Sequence, residues 1–116
     1  MATTQSVLEH HLQCFSTADV EGIMADYAAD SAMLTPQGAL KGPAMIRSFF
    51  VAAFAEFSKP GTTFDMKQML VHGEGAYIVW DADTVDNRYE AATDTLVVRD
   101  GKILVQTFAA KVTRKP

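Results

Sequence analysis

Three ionisable side chains sit where they could do acid–base chemistry: His11, Asp81 and Asp83. His11 falls inside the apolar stripe Val7, Leu8, Leu12 and Phe15. An imidazole facing a cavity can take a proton or donate a hydrogen bond near neutral pH. A half-buried helix histidine bonded to a backbone carbonyl fits the same stripe. Asp81 and Asp83 alternate with Tyr77 and Val79 on one strand face. Two carboxylates in an apolar cavity repel, and one then keeps its proton to higher pH, as acid–base work requires. A register shift of one residue sends both to solvent and turns Ile78, Trp80 and Ala82 inward.

Around these groups we expect Thr35, Thr95 and Gln106 as polar pocket contacts, and Phe50, Phe54, Val79 and Phe108 as apolar lining. Gln106 lies between Leu104 and Phe108, so it must find partners in a ligand, a neighbouring strand or another subunit. Trp80 is either a pocket wall or an interface anchor. Tyr27 reads as structural, at a helix-to-hairpin corner. The lone Cys14 has no cationic partner in the nearby sequence and reads as a small buried hydrophobe. His10 and His11 are adjacent and face different ways, and His72 sits in a turn, so the histidines lack metal spacing. No metal and no cofactor is expected.

The elements that must position these residues follow from periodicity. Helical spacing runs from about Gln5 to Thr17. A second helix starts at the N-cap Asp19, buries Val20, Ile23, Met24 and Tyr27, and ends before Asp30. Residues 31–40 read as a short hairpin turning at Pro36-Gln37-Gly38. A third helix opens at Gly42-Pro43 and stops at Pro60-Gly61. Beyond it the spacing becomes period two, giving strands at about Thr63–Val71, Ala76–Val85, Tyr89–Val98 and Lys102–Thr113. Both faces of the last two strands are rather apolar, so a second cover, another copy of the chain, is expected on the outer face.

The 116 residues fit one domain, 1–116. The net charge is −4, and Lys and Arg cluster only in the tail at Lys111, Arg114 and Lys115, which argues against a nucleic-acid partner. No apolar run is long enough to span a membrane, and no leader pattern is visible, so a cytoplasmic location is expected.

This element order resembles the nuclear transport factor 2-like superfamily, which includes the ketosteroid isomerases and SnoaL-like cyclases. The likeness is carried by Asp19-Val20-Glu21-Gly22-Ile23, Tyr27-Ala28-Ala29-Asp30-Ser31-Ala32, Pro36-Gln37-Gly38 and Lys41-Gly42-Pro43-Ala44-Met45-Ile46, and more loosely by Arg99-Asp100-Gly101-Lys102-Ile103. The resemblance implies an α+β cone: three helices packed on a curved antiparallel sheet, an internal pocket, and a homodimer through the outer sheet face. It also implies positions for ketosteroid isomerase chemistry. The base falls on Thr35, which has no usable basicity. The donor tyrosine falls on His11, and the donor aspartate on Thr95, with Asp94 one residue off on the opposite face. None of the three residues is kept, which argues against steroid isomerisation. The expectation is a binder of a small apolar organic molecule, catalysing cofactor-free isomerisation, cyclisation or hydration if it is an enzyme; a non-catalytic binding or association module is the alternative.

Overall fold

The computed structural model describes residues 2–116. Helix α1 (Thr4–Ser16) opens with a capping box, in which Thr3 and Ser6 each bond the other's backbone N–H. Asp19 caps α2 (Val20–Met24) by accepting from the Gly22 N–H. Here the structure corrects the expected boundary. Tyr27 is not on a helix face but starts β1 (Tyr27–Thr35). The chain leaves the helix because the Asp26 carbonyl accepts from the Ile103 N–H at 2.7 Å, which draws it into the sheet. Strand β2 (Gly38–Lys41) returns antiparallel to β1. Helix α3 (Pro43–Phe57) follows Gly42, which takes a positive φ of 84° that glycine adopts without steric cost.

The remaining strands are β3 (Thr63–His72), β4 (Gly75–Asp83), β5 (Asn87–Arg99) and β6 (Lys102–Arg114). They join β1 and β2 in one six-stranded sheet of order β2-β1-β6-β5-β4-β3. The sheet is mixed rather than wholly antiparallel, because β1 pairs with β6 in parallel. The three helices pack on one face of this curved, unclosed sheet. Val7, Leu8, Ile46, Phe50, Ile78, Leu96 and Ile103 are among the buried side chains between the two layers.

The register of β4 decides which residues face the helices. Ala76, Ile78, Trp80 and Ala82 are buried, so the shifted register is the one adopted. Asp81, Asp83, Val79 and Tyr77 therefore lie on the outer face. One irregularity sets the geometry there. Trp80 pairs with Ala92 and Ala82 with Tyr89, so β5 has two residues, Glu90 and Ala91, where β4 has only Asp81. Ala91 takes a positive φ of 50°, and its N–H donates to Asp81 Oδ1 at 3.0 Å. Such a bulge bends a strand and raises its twist. It also lets Tyr89 and Ala92, three positions apart, both point inward.

Asp81 is thus a bulge cap. Replacing it by alanine strands the Ala91 N–H, so Asp81→Ala is expected to lower unfolding stability in urea by about 1 kcal/mol. It should leave binding in the interior unchanged. A wild-type urea midpoint would show that the carboxylate does not hold the bulge.

Candidate functional site

Between α1, α3 and the inner sheet face lies a cavity of about 250 Å³. Its walls are mostly aromatic: Phe15, Phe49, Phe50, Phe57, Trp80 and Phe108. The Trp80 and Phe108 rings lie nearly parallel, 6.0 Å apart, while Phe50 meets His11 edge-on at 5.7 Å. Phe15 and Phe57 also border a wider groove of about 610 Å³ between the end of α1 and the turn after α3.

Five polar side chains interrupt this lining: His11, Glu56, Tyr89, Asp94 and Gln106. Asp94 is placed by strand alternation. Ala92, Asp94, Leu96 and Val98 all face inward from β5, and Asp94 pairs across the ladder with Ile78 and Phe108. Gln106 comes from β6 on the same face and donates its amide N–H to Asp94 Oδ2 at 3.2 Å. Its carbonyl in turn accepts from the Tyr27 hydroxyl. A hydrogen-bonded chain thus runs from β1 through β6 to β5, fixing the glutamine amide so that its donor faces the carboxyl.

Asp94 Oδ1 is buried and has no partner. Burial in this apolar setting pushes the Asp94 carboxyl up to about 7, although Gln106 and the Trp80 indole pull it partly back. His11 is buried as well. Burial, and the charge of His10 beside it, push its imidazole down to about 4, so it is neutral at physiological pH. Its Nδ1 is also buried without a partner. Two orphaned polar atoms on groups lining one cavity are unusual, since buried polar atoms nearly always find partners.

At another part of the wall, Glu56 of α3 gathers donors. The Tyr89 hydroxyl donates to Oε1 and Oε2 at 2.8 and 2.9 Å. Thr84 and Asn87 donate to Oε2 at 2.6 and 3.0 Å. Burial and the adjacent Glu56 carboxylate raise the Tyr89 phenol far above its ordinary range.

Of the residues singled out from sequence, His11, Phe50, Gln106 and Phe108 meet at this cavity. Phe54 lies behind it, packed on Phe50 and Phe15. Thr35, Val79, Thr95, Asp81 and Asp83 are elsewhere. Thr35 sits at the tip of the β1–β2 hairpin, where its hydroxyl donates to the Gly38 carbonyl at 3.0 Å. Thr95 and Val79 occupy outward positions, Thr95 opposite Tyr77 and Val79 opposite Thr93. Asp83 is bound by Arg88 at 2.9 Å and Lys115 at 2.5 Å, and those cations hold its carboxyl below the usual range. The residues that sequence reading passed over are Glu56 and Tyr89, while it sets Asp94 one residue off the family's donor position, on the opposite face. Asp94 carried a readable signal, being the lone charge in the alternation Ala92, Asp94, Leu96, Val98.

Cys14 also differs from expectation, since it has a basic neighbour. His10 Nε2 lies 3.5 Å from its sulfur, and His10 Nδ1 bonds Asp26 at 2.8 Å. Burial first, and then Asp19 and Asp26, raise the thiol, so the trio does not supply a thiolate. Among the described residues, no group of three or more His, Cys, Asp or Glu is placed to hold a metal ion. No helix among them is long and apolar enough to cross a membrane.

A helix-covered curved sheet around an apolar pocket with a few convergent polar groups is the plan of a small-molecule-binding α+β domain. The SnoaL-like domain model matches residues 8–106, and the chain belongs to that family. No curated protein matches it in sequence. Solved structures share the fold at low identity. One, provisionally described as a ketosteroid isomerase from Kribbella flavida DSM 17836, is 20% identical with a TM-score of 0.76, over 97% of this chain and 81% of that one. Another, provisionally described as a polyketide cyclase from Sinorhizobium meliloti, is 16% identical with a TM-score of 0.74, over 88% and 92%. An NTF2-like protein of unknown function from Cytophaga hutchinsonii is 12% identical with a TM-score of 0.77, over 96% and 92%.

The two shifted pKa values act oppositely on stability. Between about pH 4 and 7, folded Asp94 holds a proton that the unfolded chain has lost, so its contribution falls as pH rises through that window. Between about pH 4 and 6.5, unfolded His11 holds a proton that the folded chain lacks, so its contribution rises. The two slopes largely cancel in the native protein. Asp94→Asn is expected to expose the rise, and His11→Gln the fall, each of order 3 kcal/mol across its window. Urea denaturation between pH 4 and 8 measures both; flat curves for both variants would contradict these assignments.

Proposed function

We propose that this protein moves a proton on a small, mostly apolar organic molecule bearing a carbonyl, without a cofactor, and that Asp94 is the group that moves it. The single observation that carries this reading is the buried Asp94 carboxyl in an aromatic cavity, with one of its two oxygens unpartnered. A carboxyl poised near neutral pH serves as acid or base in turn. As carboxylate it can take a proton from the carbon beside the carbonyl. The resulting acid can return that proton to another carbon, giving isomerisation, or support ring closure or hydration. Neutral His11 is suited to donate a hydrogen bond to the oxygen on which charge develops. Thr35 has no part in this scheme, and neither does the pair Asp81 and Asp83. Phe50 and Phe108 shape the apolar wall, and Gln106 holds Asp94.

A homodimer in the cytoplasm is a second element of the proposal, and the dimer is supported by the outer sheet face. Leu34, Leu70 and Tyr77 are exposed on it, at 46%, 52% and 36%. Sedimentation would report twice the chain mass, and a monomer would contradict the dimer.

Hydrogen–deuterium exchange at the carbon beside the carbonyl of 2-tetralone, followed by NMR, tests the chemistry without knowledge of the natural substrate. The native protein should accelerate exchange with a midpoint near pH 7. Asp94→Asn should lose at least about 100-fold of that acceleration while still binding the ketone. Binding without acceleration in the native protein would favour a non-catalytic carrier, the reading that the absent family base supports.

A further inference from the structure

Tyr27 is buried at the start of β1, with the rings of Phe50 and His11 5.9 and 6.4 Å away. Burial first, and then the charges of Asp94 and Asp26, hold its phenol well above the ordinary range, so it keeps its hydrogen near neutral pH. Among the described residues that hydrogen has one destination, the side-chain carbonyl of Gln106. Gln106 is itself fully buried and turns its N–H to Asp94 Oδ2, 3.2 Å away.

A glutamine amide is two-sided. Turned by half a revolution about its last bond, it offers oxygen where it had offered N–H. The two orientations favour opposite states of Asp94. An N–H against Oδ2 favours the carboxylate, whereas a carbonyl oxygen there is met only by the protonated acid. The turned amide would also aim its N–H at the Tyr27 oxygen and leave the phenol hydrogen buried with no acceptor. A buried donor without a partner carries its whole desolvation penalty. Tyr27 therefore discriminates between the two orientations, and Asp94 feels the choice. Nothing charged overrides it. α1 brings His11, which is neutral, and Glu56 of α3 is held by Tyr89 at another part of the wall. Burial raises the Asp94 carboxyl, and the groups that lower it are Gln106 first and then the Trp80 indole of β4.

We propose that Tyr27 is a positioning residue: by donating to the Gln106 carbonyl it keeps the amide N–H against Asp94, and so keeps that carboxyl able to give up its proton. The use of this in turnover rests on the acid–base reading of Asp94; the effect on ionisation does not.

Carboxyl carbon NMR of protein carrying labelled aspartate, titrated from pH 4 to 9, tests it in the native protein, Tyr27→Phe, Gln106→Leu and the double variant. Tyr27→Phe keeps the ring and deletes only the hydroxyl. It should raise the Asp94 midpoint by about one pH unit, a tenfold drop in the ionisation constant. In the Gln106→Leu background the same substitution should leave the midpoint unmoved, because no amide remains to turn. Should Gln106→Leu not fold, Gln106→Met replaces it. Should Tyr27→Phe not fold, protein made with 3-fluorotyrosine, a stronger donor, should show a lowered midpoint instead. An unmoved or lowered midpoint in Tyr27→Phe, an unmoved one with 3-fluorotyrosine, or an equal rise in both backgrounds would each overturn the proposal. In the tetralone exchange, Tyr27→Phe should move the pH midpoint up with that of Asp94, cutting the rate at pH 7 about fivefold while ketone binding is unchanged. An absence of exchange in the native protein would sink the acid–base reading alone, because the NMR midpoints report on Tyr27 without it.

Discussion

The carboxyl of Asp94 is taken out of water and given a neutral amide, not a cation, for company. The interior is arranged around that fact. Burying a carboxylate without a counter-charge costs so much that the group keeps its proton instead. Gln106 limits the cost by hydrogen bonding, and Tyr27 fixes which way the glutamine faces. Each member comes from a different strand, so the polar chain is only as well placed as the register of β1, β6 and β5. The parallel β1–β6 pairing, which sets Met33 opposite Gln106, is what brings Tyr27 within reach.

The same sheet holds the second polar group through a local defect. Without the bulge at Glu90 and Ala91, simple alternation could not turn both Tyr89 and Ala92 inward, and Glu56 would lose its main donor. Asp81 caps that bulge from the outer face. A carboxylate on the solvent side of the sheet therefore supports one on the cavity side. The positive φ of Ala91 belongs to the same device, a strained residue tolerated where the strand must re-aim a side chain.

Much of the fold was legible in the sequence because its signals are local. The apolar stripe from Gln5, the cap at Asp19, Pro43 at the head of α3 and the period-two runs after Pro60 mark where elements start to within a residue or two of those observed, although α2 ends five residues before its expected limit. The site was legible only in part. His11, Phe50, Gln106 and Phe108 stand out by their apolar surroundings, and the cavity gathers them. Asp81 and Asp83 were misplaced for a physical reason. A strand's two faces differ by one residue of register, and nothing in Tyr77-Ile78-Val79-Trp80-Asp81-Ala82-Asp83 names the inward one. The buried choice follows from Trp80, whose large apolar ring gains more from the interior than Tyr77 would. Glu56 was out of reach, because its partners Thr84, Asn87 and Tyr89 lie 28 to 33 residues away and meet it only through the packing of α3 on the sheet.

The central claim is that Asp94 stays protonated to near neutral pH because it is buried among apolar side chains. Carboxyl carbon NMR of protein carrying labelled aspartate, with Asp94→Asn used to assign the resonance, reads this directly. The account predicts one aspartate titrating near pH 7, well apart from the surface carboxylates and absent from the variant. A titration of Asp94 near pH 4 would contradict it: the carboxyl would then be solvated, an ordinary acid with no reason to be poised for proton transfer.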